Sequence, residues 1–148
     1  MTLQDWLRSS WLAAHRTSRQ EIARLLAVAD RDLHDSAAAG LSADWKFSIA
    51  YNAALQAAAA ALAASGYRIS RGTSHHHLVI ESLAFTLGAD ARSVAQLDAF
   101  RKKRNVGGYE EVGLVSDQEA EEMRAMAEQL RKRVEAWLEV AHPELLGK

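Results

Sequence analysis

The chain has 148 residues, the size of one domain with a single substantial core, and a formal net charge of −1, so the molecule as a whole is not a polyanion binder and any nucleic-acid contact must come from a local patch. It contains no cysteine, which excludes disulfides, thiolate metal sites and thiol nucleophiles. Hydrophobic residues make up 49%, alanine dominates that share, and a single proline leaves long helices unbroken, which argues against an all-β architecture.

Residues 2–14 carry Leu3, Trp6, Leu7, Trp11 and Leu12 near one helical face and predict a short amphipathic helix. Thr17 or Ser18 is placed to cap a second helix, with Glu21 in the reciprocal capping-box position. Ile22, Leu25, Leu26, Ala29 and Leu33 form its inward stripe, and Asp30, Arg31 and Asp32 read as solvent-facing. This helix runs to about Ser36 and loosens toward Gly40.

Ser42 caps a third helix with no breaker from Ala43 to about Ser65, and Gly66 supplies the stop. At 1.5 Å per residue such a rod is roughly 33 Å long and crosses the domain. Beyond Lys46 it carries no charge, so it reads as the most buried helix, approached closely on several sides. Ser48, Asn52 and Gln56 stand four apart on it. This polar stripe either bonds to a neighbouring helix or lines a cleft or dimer seam.

Tyr67 to Thr73 reads as a loop, and Thr73 or Ser74 caps the fourth helix. Its apolar positions are Leu78, Ile80, Leu83, Ala84 and Leu87, and Gly88 ends it. The fifth helix starts near Asp90, with Val94, Leu97 and Phe100 inward. The sixth starts at Ser116 with Glu119 at the capping-box position and carries Ala120, Met123, Ala127, Leu130, Val134, Trp137 and Ala141 at spacings of three and four. Arg131-Lys132-Arg133 reads as its exposed side, and Pro143 closes it. The expected fold is all-α: a compact antiparallel bundle of four main helices plus one or two short ones.

Chemistry concentrates at Phe100 to Tyr109. Arg101, Lys102, Lys103 and Arg104 are consecutive cations, followed by Asn105, the Gly107-Gly108 break and Tyr109. A continuous helix would put Arg104 and Tyr109 roughly 140° apart, and the glycines let the backbone leave the helix and bring the phenol back. Such a corner is either a solvated helix end stopped by glycine or a site for an anion or phosphate. His75-His76-His77 does not form a metal site while helical, because neighbouring side chains diverge by about 100° and no carboxylate stands at a convincing spacing. No phosphate loop or nucleophile elbow occurs, and no motif implies a cofactor or a metal. Glu110-Glu111 reads as a solvated pair. The N-terminus lacks the cationic start and apolar run of a secretory signal, and Ile49 to Ala64 is too weakly hydrophobic for a membrane span, so a cytoplasmic location without membrane contact is expected.

Two segments together resemble the HEPN superfamily of small all-helical domains. Asp44 to Gln56, with its Ala50-Tyr51-Asn52-Ala53-Ala54 run, is similar to that superfamily's long central helix. Phe100 to Asn105 followed by Tyr109 is similar to its Arg–polar–x3–His motif, with Arg104 as the arginine, Asn105 as the polar residue and Tyr109 at the histidine position. The resemblance covers roughly residues 20–140. It implies a helical bundle that dimerises, metal-independent ribonuclease activity in active members, and a small nucleotidyltransferase as partner in toxin–antitoxin modules. There the arginine holds the scissile phosphate and an imidazole moves protons. Tyr109 in place of the imidazole, a phenol with a reference pKa near about 10, is a poor base at neutral pH. The expectation is therefore a module that binds RNA, a nucleotide or a partner protein through Arg101, Arg104, Asn105 and Tyr109, with Lys102 and Lys103 at the rim. The alternatives are a metal-independent ribonuclease assisted by Tyr109 and a purely structural dimerising protein.

Overall fold

The computed structural model describes residues 1–72, 75–107 and 115–147. Among these, the elements run α1 Leu3–Arg8, β1 Leu12–Ala14, α2 Arg19–Asp35, α3 Ala43–Ala64, β2 Tyr67–Ile69, α4 His75–Thr86, α5 Ala91–Gly107 and α6 Asp117–Ala141, with a 3-10 turn at Pro143–Leu146. The fold is all-α, and its only sheet among the described residues is the antiparallel ribbon β1–β2.

α3 is the axis. Ser42 accepts from the Trp45 N–H to start it, and Gly66, with φ +96°, reverses the chain just after it. It packs most extensively against α6 and α2 and also touches α4, α5 and β2. Ala53, Ala57, Ala60 and Ala61 are fully buried, because methyl side chains let neighbouring backbones approach closely. Phe47 and Tyr51 are its largest buried side chains. By length and hydropathy alone this helix would suffice to cross a membrane, but 72% of its most apolar window is buried inside the fold.

The N-terminal segment differs from its expected single helix. Thr2 and Asp5 form a capping box that starts α1, but the helix stops at Arg8 and Ser10 turns the chain with φ +64°. Leu12 is then buried from a strand, not from a helical face, while Leu7 and Trp11 remain exposed. Adjacent serines compete for backbone hydrogen bonds and break the apolar periodicity at that point. The partner strand is β2, in the segment expected to be a loop, with Leu12 opposite Ile69 and Ala14 opposite Tyr67. The bonds Ser70 N–H to Trp11 O and His15 N–H to Gly66 O, each 2.9 Å, flank the ribbon.

On α2, Ser18 caps the helix, but the Glu21 carboxylate does not return to it. It accepts from the Thr17 hydroxyl at 2.6 Å and meets His15 Nε2 at 2.7 Å. Asp32, expected in solvent, is buried, and Asn52 is the reason. The capping box of Ser116 and Glu119 forms as expected. Arg131 is not on the exposed side of α6: it is 14% exposed and grips Asp30 of α2 through Nε and a terminal nitrogen at 2.9 and 3.1 Å, while Lys132 and Arg133 are exposed. Ala84 and Ala141, expected inward, are exposed. The proposed cap residues Thr73 and Ser74 lie outside the described residues.

Candidate functional site

α5 carries the four cations inside the helix, which continues to Gly107. Its inward edge is fixed by two contacts one turn apart. Phe100 meets Phe47 edge-on, with ring centroids 5.5 Å apart, and the Arg104 guanidinium lies over the Tyr51 ring, 5.3 Å from its centroid. Residues four apart on one helix share a face, so Phe47 and Tyr51 of α3 match Phe100 and Arg104 of α5, and the two helices rise together along this seam. A guanidinium over an aromatic face is attracted by the ring quadrupole.

Tyr51 also faces α4. Its hydroxyl stands 3.4 Å from His76 Nδ1, and the two ring centroids are 5.8 Å apart. The phenol is 1% exposed, and burial pushes its pKa up to about 12, with Arg104 and Arg101 pulling it partly back. It is therefore a neutral platform at any physiological pH.

The remaining cations are drawn to carboxylates. Asp98 accepts from Arg101 Nε at 2.7 Å, lies 3.4 Å from Lys102 Nζ and approaches His77 Nδ1 at 3.4 Å. The Arg101 hydrogen bond, with help from His77 and Lys102, holds the Asp98 carboxyl down at about 2. Lys103 leaves this cluster and meets Glu119 at 2.9 Å, lowering that carboxyl's pKa. His77 also pairs with Glu81 at 3.2 Å, so a carboxylate does stand at helical spacing from the histidine run, contrary to the sequence reading. Among the described residues, no group of three or more metal-ligating side chains is placed to hold an ion.

Of the residues expected to form the site, Arg101 and Arg104 come together around Tyr51, Lys102 lies at their rim, and Lys103 belongs to the start of α6. Tyr109, Glu110, Glu111 and the side chain of Asn105 lie outside the described residues. The polar stripe is separate. Asn52 donates to Asp32 on α2, and Ser48 and Gln56 are half-buried along the same helix. Sequence reasoning missed Tyr51, His76 and Asp98 as members of this cluster. The available signal was the matched four-residue spacing of Phe47/Tyr51 on α3 and Phe100/Arg104 on α5. A separate recess of about 100 Å³ between α4, α5 and α6, lined by Leu83, Val94, Leu97, Met126, Leu130 and Arg133 among others, includes none of these groups.

The chain matches no protein-family model, no curated protein and no solved structure.

Proposed function

We propose that this chain is a HEPN-like helical module that binds a phosphate ester, as RNA or as a nucleotide, at the Arg104 end of α5. It works as a homodimer or beside a partner protein, for which a nucleotidyltransferase of a toxin–antitoxin module is the candidate that the resemblance implies. The observation that carries this reading is the guanidinium of Arg104 laid on the ring of Tyr51. A buried, neutral ring orients the cation without competing for its N–H donors, and an oriented guanidinium suits the paired oxygens of a phosphate. Binding is favoured over cleavage, because a phenol at the motif's histidine position is a poor base at neutral pH.

The test is calorimetric titration of the full chain with adenosine 5′-monophosphate and with a short single-stranded oligoribonucleotide. Arg104→Ala should weaken binding by about tenfold or more, the scale of one charge-assisted contact. Wild type and Arg104→Ala with indistinguishable isotherms would overturn the reading.

A structural, dimerising role is the second reading. It is favoured by the pairing of Arg101 and Lys102 with Asp98 and of Lys103 with Glu119, which spends three of the four cations on the protein itself. On that reading Arg104→Ala changes stability, and no ligand binds.

A further inference from the structure

We infer that the aromatic corner made by α1, the turn after it and the end of α4 docks on an anionic lipid surface. This surface is independent of the Arg104 site. Its centre is Trp6, which is 3% exposed and holds two other rings edge-on: Trp11, with centroids 5.8 Å apart, and Phe85 of α4, at 5.2 Å. The turn after α1 folds back on the helix, with Trp11 N–H donating to Trp6 O at 3.0 Å and Ser10 N–H to Leu7 O at 3.1 Å. Trp6 is the seat of this packing, yet the side chains around it stay in solvent: Trp11 and Phe85 are each 39% exposed and Leu7 is 36% exposed. Among the described residues the exposed large hydrophobics are these three with Met1, Trp45 and Val140, so half of them gather at one place. Single exposed apolar side chains are ordinary, whereas a gathered set marks an interaction surface.

Charge names the occupant. The ladder of the ribbon continues to Trp11, whose carbonyl accepts from Ser70 N–H at 2.9 Å. With Leu12 and Ile69 buried, strand alternation puts Trp11 and Arg68 on the outward face as diagonal neighbours. Arg71 follows just beyond Ser70. Both arginines are exposed, and neither has a carboxylate partner among the described residues. Arg8 is paired with Asp5, and Glu81, one turn before Phe85 on α4, is paired with His77. The uncompensated charge beside the apolar corner is therefore positive, in a chain whose net charge is −1. Docking on a bilayer takes two signals, apolar side chains that enter the headgroup region and cations that meet anionic lipid, and here both lie together. Tryptophan and arginine suit that depth, each with an apolar body and a polar end. Leu7 argues against single-stranded nucleic acid, whose bases stack on rings and gain little from an aliphatic chain. A surface that lies on headgroups needs neither a spanning helix nor a signal segment, the two features on which the expectation of no membrane contact turned.

The experiment is co-sedimentation of the full chain with vesicles of phosphatidylcholine alone and of equal parts phosphatidylcholine and phosphatidylglycerol. The expected result is binding to the anionic vesicles and little to the neutral ones, reversed in about 1 M salt, where the Debye length is about 3 Å. Arg68→Gln with Arg71→Gln should weaken partitioning by about tenfold or more, and Leu7→Ser with Phe85→Ser by a similar factor. Thermal unfolding of each variant checks the fold. Should the apolar pair prove unfolded, the arginine pair, at exposed positions, decides alone. Quenching of tryptophan emission by acyl-brominated lipid should fall in Trp11→Phe, which keeps a ring there. Arg104→Ala should bind vesicles as wild type does. Equal binding to both vesicle types, no binding, or unchanged binding by the arginine pair would overturn the inference. So would a wild type that ignores anionic vesicles but binds a short oligoribonucleotide through Arg68 and Arg71, since the surface would then serve nucleic acid.

Discussion

Asn52 donates its side-chain amide to Asp32 at 2.6 Å across the α2–α3 interface. Asp32 is 5% exposed and also accepts from Arg31 at 3.0 and 3.1 Å, so its carboxylate is buried with donors on both oxygens. Asn52→Ala removes the interhelical donor and leaves one oxygen short of a partner. A hydrogen bond to a charged, buried acceptor is worth about 1.5–3 kcal/mol, and that loss should appear as a lower urea midpoint at unchanged slope. Asp32→Asn combined with Asn52→Ala should be less damaging than the sum of the two single changes, because each removes the same contact.

The alanines of α3 set how closely its neighbours approach. Ala57 is fully buried between packed helices. Ala57→Leu must push them apart, at a cost of about 1–3 kcal/mol. The same substitution at the exposed Ala84 of α4 should stay within about 0.5 kcal/mol. Paired thermal or chemical denaturation of the two variants checks this, and equal effects would show that α3 has room to spare.

Acid should loosen the α4–α5 contact. The Asp98 carboxyl, held by Arg101 at 2.7 Å, has its folded pKa depressed to about 2 from an ordinary value of 3.8. A depressed carboxyl contributes stability that is complete above its unfolded pKa and disappears as pH falls through the folded value. Stability should therefore fall between about pH 4 and pH 2. Asp98→Asn should remove that part of the fall and cost about 1–2 kcal/mol at neutral pH. Denaturant titrations from pH 2 to 6 on both proteins measure it.

The long helices were legible in the sequence because their signals are local. Ser42, Ser116 and Glu119 cap where expected, and the uncharged stretch after Lys46 is the buried axis. Misreadings arose where a distant partner decided the outcome. Asp32 looks like a surface acid until Asn52 arrives from α3, and Arg131 looks exposed until Asp30 arrives from α2. Leu12 fits a helical face by spacing but gains its burial opposite Ile69. The candidate site divides in the same way. The consecutive cations are visible as a run, whereas their separation, Arg104 onto Tyr51 and Lys103 onto Glu119, depends on which helices lie alongside.

The β1–β2 ribbon has a kinetic consequence. Its two short strands lie on either side of the α2–α3 pair in the chain, so Leu12 meets Ile69 only after that whole intervening length has been drawn into a closed loop. Few backbone bonds reward so large a closure, which makes the ribbon a late event in folding and an early one in unfolding. Amide protons at residues 12–14 and 67–69 should accordingly trade with deuterium well before those in the middle of α3, and the leading segment should peel away while the helical centre still stands.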